Sequence, residues 1–257
     1  MSAPVLEANA LNKRFGGLTA VSAFSVTLNA GEIVGLIGPN GAGKTTVFNL
    51  LTGVYKPDTG TIELNGANIA HLSPDRVTAC GMARTFQNIR LFKDMTVLEN
   101  VKVGFQTRLK TGLFSSILRL RSFREEEQRI EHDALELLNL LGLGVQVSSL
   151  SRNLPYGQQR KLEIARALAT SPKVLLLDEP AAGMNDSESA GLRELLVQIR
   201  ERFNLTLLLI EHDMPFVMGL VKRLLVLDHG AILAQGTPEE VRGNPAVIEA
   251  YLGKEDE

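Results

Sequence analysis

The chain has 257 residues, enough to bury a sizeable core as one large domain or as one domain carrying an inserted lobe. Apolar residues make up 44% and charged residues 22%, and the formal net charge of −2 leaves no basic footprint of a general nucleic-acid binder. No apolar run is long enough to span a bilayer and residues 1–10 lack the blocks of a secretory signal, while the single cysteine, Cys80, excludes an intrachain disulfide and has no metal-binding spacing. A cytosolic protein is the simplest expectation.

Two alternating stretches come first, Val5, Leu6, Ala8 and Leu11, then Val21 to Leu28, and both are expected as half-buried strands. Between them Phe15 precedes Gly16-Gly17, and pattern alone leaves it equally a core aromatic or an exposed ring that stacks on a nucleotide base. Ile33 to Ile37 predicts a short buried strand, and Val47 to Leu51 an apolar helix. They flank Gly38-Pro39-Asn40-Gly41-Ala42-Gly43-Lys44-Thr45-Thr46, the G-x-x-x-x-G-K-[ST] pattern in the strand, loop, helix context that makes it a phosphate site. The glycines let backbone N–H groups curl around an anion, and the new helix points its positive end at the same place. Lys44 would reach the terminal phosphates of a nucleotide, and the Thr45 hydroxyl would hold a magnesium ion.

Lys56-Pro57-Asp58-Thr59-Gly60 reads as a turn, Thr61 to Leu64 as a strand, Asn65-Gly66 as a hairpin signal and Ser73-Pro74 as a helix start. Met82 to Phe86 is a short strand candidate ending at Gln87, after which the composition changes. Thr96-Val97-Leu98-Glu99 forms a capping box and Phe123 to Leu141 carries helical periodicity, so residues 88–156 are expected as a mostly helical lobe between 1–87 and 157–257 of a sheet core. Within the lobe Arg108, Lys110, Arg119, Arg121 and Arg124 interleave with Leu113, Phe114, Ile117 and Leu118. That pattern fits an amphipathic segment meeting a membrane or partner, but the stretch is short and broken by Gly112, which favours a solvated insertion. The sheet then resumes with Val174 to Leu177, closed by Asp178-Glu179, and Leu205 to Ile210, closed by Glu211-His212-Asp213. Leu224 to Leu227 and Ile232 to Ala234 flank a hairpin at Asp228-His229-Gly230; Thr237-Pro238 and Asn244-Pro245 start two short helices, the last ending at Gly253.

Parallel sheets bind ligands at the carboxyl ends of their strands, where the Gly38–Thr46 loop, Gln87, Asp178-Glu179 and His212 all fall. Singly these are weak signals, since Gln87 fits a capping role and a histidine after a strand is usually structural. An acidic pair ending an apolar strand beside a phosphate loop has a specific use: Asp178 holds the magnesium shell and Glu179 polarises the attacking water. Together the groups describe phosphoryl transfer from a nucleotide to water.

The order of these motifs resembles the ATP-binding subunit of an ABC transporter, over nearly the whole chain. Leu154-Pro155-Tyr156-Gly157-Gln158 matches the place of the family's L-S-G-G-Q signature, Gln87 its Q-loop, His212 its switch histidine, Phe15 its adenine-stacking aromatic, and Ala181-Ala182-Gly183-Met184-Asn185 the loop that crosses to a second ATPase subunit. Tyr156-Gly157-Gln158-Gln159-Arg160, Glu179-Pro180-Ala181-Ala182-Gly183-Met184-Asn185 and Glu211-His212-Asp213-Met214 are similar to one ATPase of branched-chain amino-acid uptake systems. The basic insertion after Gln106 and the ending Thr237-Pro238-Glu239-Glu240 fit the same branch.

The resemblance implies an α/β fold, a P-loop ABC-type ATPase with a mixed sheet core and an inserted helical lobe. It implies that ATP and Mg2+ are bound, with Gln87, Gly157 and Gln158 among the nucleotide contacts, Gln87 also on the metal beside Thr45 and Asp178, and Glu179 and His212 as the catalytic pair. The partners it implies are a second ATPase subunit, the same chain or a paralogue, integral-membrane permease subunits and, indirectly, a solute-binding protein. The chain would then sit peripherally on the cytoplasmic face of the inner membrane and power import of branched-chain amino acids. An ABC ATPase of another transport system, or a cytosolic one acting on nucleic acid or ribosomes, is the alternative; the long coiled coil or basic arm of the cytosolic kind is missing here, and no nucleic-acid partner is expected. Two positions depart from the general pattern: Pro155 stands in place of the signature serine, and Asn185 in place of an aspartate. Asn185, with Glu188 three residues on, makes a good helix N-cap.

Overall fold

The structure, a computed structural model, describes residues 4–107 and 121–252. Of the interleaved basic stretch, the part from Arg108 to Arg119 lies outside the described residues, as does Gly253, whereas Arg121 and Arg124 fall in the helix Arg121–Leu140. The chain divides into two compact units, Met1–Gln87 with Lys173–Glu257, and Asn88–Pro172.

The described strands are β1 Leu6–Phe15, β2 Leu18–Leu28, β3 Ile33–Ile37, β4 Thr59–Leu64, β5 Ala67–Asn68, β6 Met82–Arg84, β7 Val174–Asp178, β8 Thr206–Ile210, β9 Arg223–Asp228 and β10 Ala231–Gly236, all in the first unit. They form an antiparallel sheet in the order β2-β1-β4-β5 and a mixed sheet in the order β10-β9-β3-β8-β7-β6. In the second sheet β9, β3, β8, β7 and β6 run parallel and only β10 is antiparallel, joined to β9 by the turn after Asp228. Every residue of β3, β7 and β8 is buried, which is why these segments read as unbroken apolar runs: both faces of a parallel sheet are covered. By contrast β2 alternates buried and exposed positions through Phe24, Val26 and Leu28, as a strand with one wet face must.

One buried cluster joins the two sheets. Leu6, Leu11, Phe24 and Leu28 from the antiparallel sheet meet Leu36, Leu176, Leu208 and Leu225 from the mixed sheet, with Phe48 and Leu51 of the helix Lys44–Leu51 among them. Each such side chain contributes about 1.5–3 kcal/mol on leaving water, so the phosphate-loop helix is anchored by its own apolar face. The helix Asp186–Phe203 starts on a reciprocal capping box: Glu188 N–H donates to Asn185 Oδ1 at 3.0 Å, and Asn185 N–H to Glu188 Oε2 at 3.1 Å. Asn185→Ala removes the acceptor for Glu188 N–H, and urea denaturation of this variant is expected to show a loss of about 1 kcal/mol.

The second unit contains the helices Val97–Gln106, Arg121–Leu140 and Tyr156–Ala169. Thr96 and Glu99 cap the first of these reciprocally, and the buried Asn100 side chain fastens the preceding loop by accepting from Phe92 N–H and donating to the carbonyls of Phe92 and Thr96. This unit runs on to Pro172, whereas the sequence placed the end of the lobe at residue 156. The cause is the packing of the helix Tyr156–Ala169 on Val97–Gln106, close enough at Gly104 that a Cβ there would lie 2.4 Å from the Arg166 carbonyl oxygen.

Candidate functional site

Because β3, β8, β7 and β6 are adjacent and parallel, their carboxyl ends open on one side of the first unit. The Gly38–Thr46 loop leaves β3 there. Gly38 has φ 150°, and a Cβ at this position would stand 2.0 Å from the Leu227 carbonyl oxygen of β9, so only glycine lets the loop pass. Gly230 N–H donates to the Ala42 carbonyl at 2.9 Å and Ser22 N–H to the Gly230 carbonyl at 2.8 Å, which ties the loop through the β9–β10 turn to β2. Lys44 opens the helix and folds back over the loop, its Nζ donating to the carbonyls of Gly38 at 2.6 Å and Pro39 at 2.8 Å. The N-cap Gly43 gives this helix no side-chain cap, and a helix N-terminus of this kind favours an anion.

The loop forms one wall of a cleft of about 520 Å³ lined by Phe15, Asn40 to Thr46, Gln87, Glu179 and the His229-Gly230 turn. Phe15 is 42% exposed, which decides between the two readings of this ring: it is a wall of the cleft and not a core aromatic. The edge-on ring of Tyr55, 5.2 Å away, holds it in place, and Lys13 Nζ stands 5.6 Å from its centre.

Glu179 follows β7 with φ 46°, a left-handed conformation that is rare for a residue with a Cβ and is common at functional sites. Its N–H continues the ladder to the Ile210 carbonyl at 2.9 Å. Its carboxylate accepts from Gln87 Nε2 at 2.8 Å on Oε2, while His212 Nδ1 lies 3.8 Å from Oε1. Two residues proposed from separate strand ends thus flank the third. A carboxylate held this way beside a phosphate loop can orient and polarise a water molecule.

Asp178 is buried and is not part of the cleft wall. Its Oδ2 accepts from the Arg84 guanidinium at 2.6 Å, and the other terminal nitrogen of Arg84 donates to Asn49 Oδ1 at 2.7 Å. Arg84 lies over the rings of Phe48 and Phe86, 5.4 and 4.9 Å from their centres, so β6, β7 and the phosphate-loop helix are bonded through one cation. Among the described residues no three His, Cys, Asp or Glu side chains gather into a metal cage. The Thr45 hydroxyl and the Gln87 amide line the cleft, whereas the Asp178 carboxylate is held in its bond to Arg84; oxygen donors of this kind suit Mg2+, which is bound through one or two carboxylates and completes its shell with phosphates and water.

In the second unit, Pro155 is the N-cap of the helix Tyr156–Ala169 and gives it no side-chain cap; Gly157 and Gln158 lie in its first turn. Arg160 is wholly buried, paired with Glu163 at 2.8 Å and near the Tyr156 hydroxyl at 3.3 Å.

Three residues with a part in this arrangement were not singled out from the sequence: Arg84, Tyr55 and Glu211. Glu211 is buried at the end of β8, and burial pushes its carboxyl above the ordinary glutamate range against the opposing pull of backbone N–H donors.

The family described as ABC transporter matches residues 21–182. The chain belongs to the ABC transporter family. A second family, described as branched-chain amino acid ATP-binding cassette transporter, matches residues 231–257 of this ABC chain. The high-affinity branched-chain amino acid transport ATP-binding protein LivG of Salmonella typhimurium is 51% identical over 254 residues, covering 99% of this chain and 100% of that protein. The corresponding protein BraF of Pseudomonas aeruginosa is 46% identical over the same shares of both chains. The crystal structure of the ADP conformation of MJ1267, an ATP-binding cassette of an ABC transporter, superposes with a TM-score of 0.85 at 31% identity, covering 98% of this chain and 100% of that one. ATP binding and hydrolysis coupled to transport come with membership of the ABC family. Among the described residues no helix of this ABC chain is long and apolar enough to cross a membrane.

Proposed function

We propose that this chain is the ATP-hydrolysing subunit of an importer of branched-chain amino acids, seated on the cytoplasmic face of the membrane against permease subunits. The observation that carries the chemistry is the Glu179 carboxylate, which lines the phosphate-loop cleft between Gln87 and His212. The solute rests on the names of LivG and BraF and on the match at residues 231–257. ATP enters the cleft with its base against Phe15 and its phosphates on the Gly38–Thr46 loop. Thr45, Gln87 and Asp178 would hold Mg2+, which supplies charge neutralisation at the β- and γ-phosphates. Glu179 takes the proton of the attacking water, and His212 stands beside it towards the γ-phosphate.

A second ATPase subunit pairs head-to-tail with this one, and Gly157 and Gln158, at the start of the helix Tyr156–Ala169, turn that helix's positive end towards the partner's nucleotide. Pro155 offers neither a hydroxyl nor an N–H there, so that contact is left to the helix N-terminus at Gly157 and Gln158. The solute itself is delivered by a solute-binding protein and does not touch this chain.

Lys44→Ala removes the cation facing the phosphates. A hydrogen bond to a charged group contributes about 1.5–3 kcal/mol, so MgATP affinity by calorimetry is expected to fall roughly 10- to 150-fold. Unchanged affinity would mean that the loop holds something other than a triphosphate. The solute is tested by reconstituting the chain with its permease subunits and binding protein in vesicles. ATP-dependent uptake of labelled leucine, isoleucine and valine is expected, and a complex that accumulates none of them but moves another solute overturns the assignment.

A further inference from the structure

Glu211 is a buried carboxylate that the hydrolysis reaction does not use. It is 1% exposed and sits between the two loops that carry Glu179 and His212. Oε1 accepts from Ala181 N–H at 2.8 Å, two residues beyond Glu179. Oε2 accepts from His212 N–H at 3.1 Å and from Asp213 N–H at 3.4 Å. Each segment is itself a tight turn: Ala182 N–H returns to the Glu179 carbonyl at 3.2 Å, and Asp213 caps the next helix through Phe216 N–H at 3.0 Å. A carboxylate is an acceptor on both oxygens, and the Ala181, His212 and Asp213 partners are all backbone donors, so the side-chain chemistry suits this place and no neutral isostere reproduces it. The desolvation of a buried carboxylate is a standing cost, offset here by charge-assisted bonds to the two segments.

We infer that Glu211 is a positioning residue that binds the backbone after Glu179 to the backbone of His212, so that the two side chains flanking the hydrolytic water keep one geometry and move together. This rests on the proposed roles of Glu179 and His212. Glu211→Gln keeps the shape but turns an N–H donor towards a backbone N–H, so one of the two loops loses its acceptor.

The test uses the reconstituted transporter for kinetics and the full-length chain for amide exchange. In Glu211→Gln, kcat is expected to fall about tenfold, the size of one lost hydrogen bond to a charged group, with KM for ATP held within about twofold. Amide exchange at Ala181 or at His212 and Asp213 is expected to accelerate. In a His212→Ala background the same substitution is expected to lower kcat by clearly less than in the parent, because residues acting through one another are not additive. Glu211→Asp, which keeps the carboxylate, is expected to recover exchange protection in at least one loop, and it serves as the folded comparison if the glutamine variant is unstable. Unchanged amide exchange in Glu211→Gln, or a full tenfold fall again in the His212→Ala background, overturns the inference. Wild-type hydrolysis in Glu179→Gln would instead overturn the catalytic reading and leave the exchange result standing.

Discussion

Replacing Glu179 by glutamine is expected to lower steady-state ATP hydrolysis by the assembled transporter about 10²- to 10⁴-fold, the range of a positioned general base. The amide is nearly isosteric and still accepts from Gln87 Nε2 through its oxygen, so the left-handed turn at residue 179 and the ladder bond to Ile210 are retained. What is lost is the basic lone pair that takes the proton. MgATP affinity is therefore expected to stay within about a factor of three, because the phosphate loop and Phe15 are untouched. Phosphate release and calorimetry on the same preparation separate the two effects. Hydrolysis retained to within about threefold would remove Glu179 from the mechanism.

Arg84→Met is expected to have the largest effect on stability. Arg84 and Asp178 are both almost wholly buried, with side chains 5% and 6% exposed. Removing one partner of a buried ion pair leaves the other charge in a low-dielectric site, at a cost of about 3–5 kcal/mol. The Asn49 side chain loses its donor as well. The double variant Arg84→Met/Asp178→Asn is expected to recover much of that loss, since the cost comes from the unpaired charge rather than from the missing contact. Urea denaturation of the single and double variants checks this. A single variant as stable as the parent would mean that water reaches Asp178.

Much of the architecture is legible in the sequence because three of the central strands, β3, β7 and β8, are covered on both faces and so leave unbroken apolar runs that end abruptly in polar residues. Those ends are where a parallel sheet presents its ligand groups, and Gln87, Glu179 and the phosphate loop line a common cleft. The face of Phe15 was not legible, because register shifts between Leu11, Lys13 and Arg14 break the alternation just before it. Arg84 was missed because a charge in a three-residue strand reads as a solvent-facing position, and its burial depends on a carboxylate 94 residues away. Glu211 was hidden in the same way: its main-chain partner at Ala181 lies 30 residues back along the chain. The end of the helical unit was misplaced because the helix Tyr156–Ala169 carries its apolar face in a pattern that does not say which neighbour it packs on.

The claim that this chain converts ATP hydrolysis into solute uptake is tested most directly by measuring both in the same vesicles. Phosphate release and labelled-leucine accumulation are followed together in reconstituted transporter, parent and Glu179→Gln, with MgATP on the side that this chain faces. The account predicts that the two rates rise together in the parent when the binding protein and leucine are supplied, and that both are lost in the variant while MgATP remains bound. Sustained multi-turnover uptake by the variant without phosphate release, or undiminished release from it, would contradict the account.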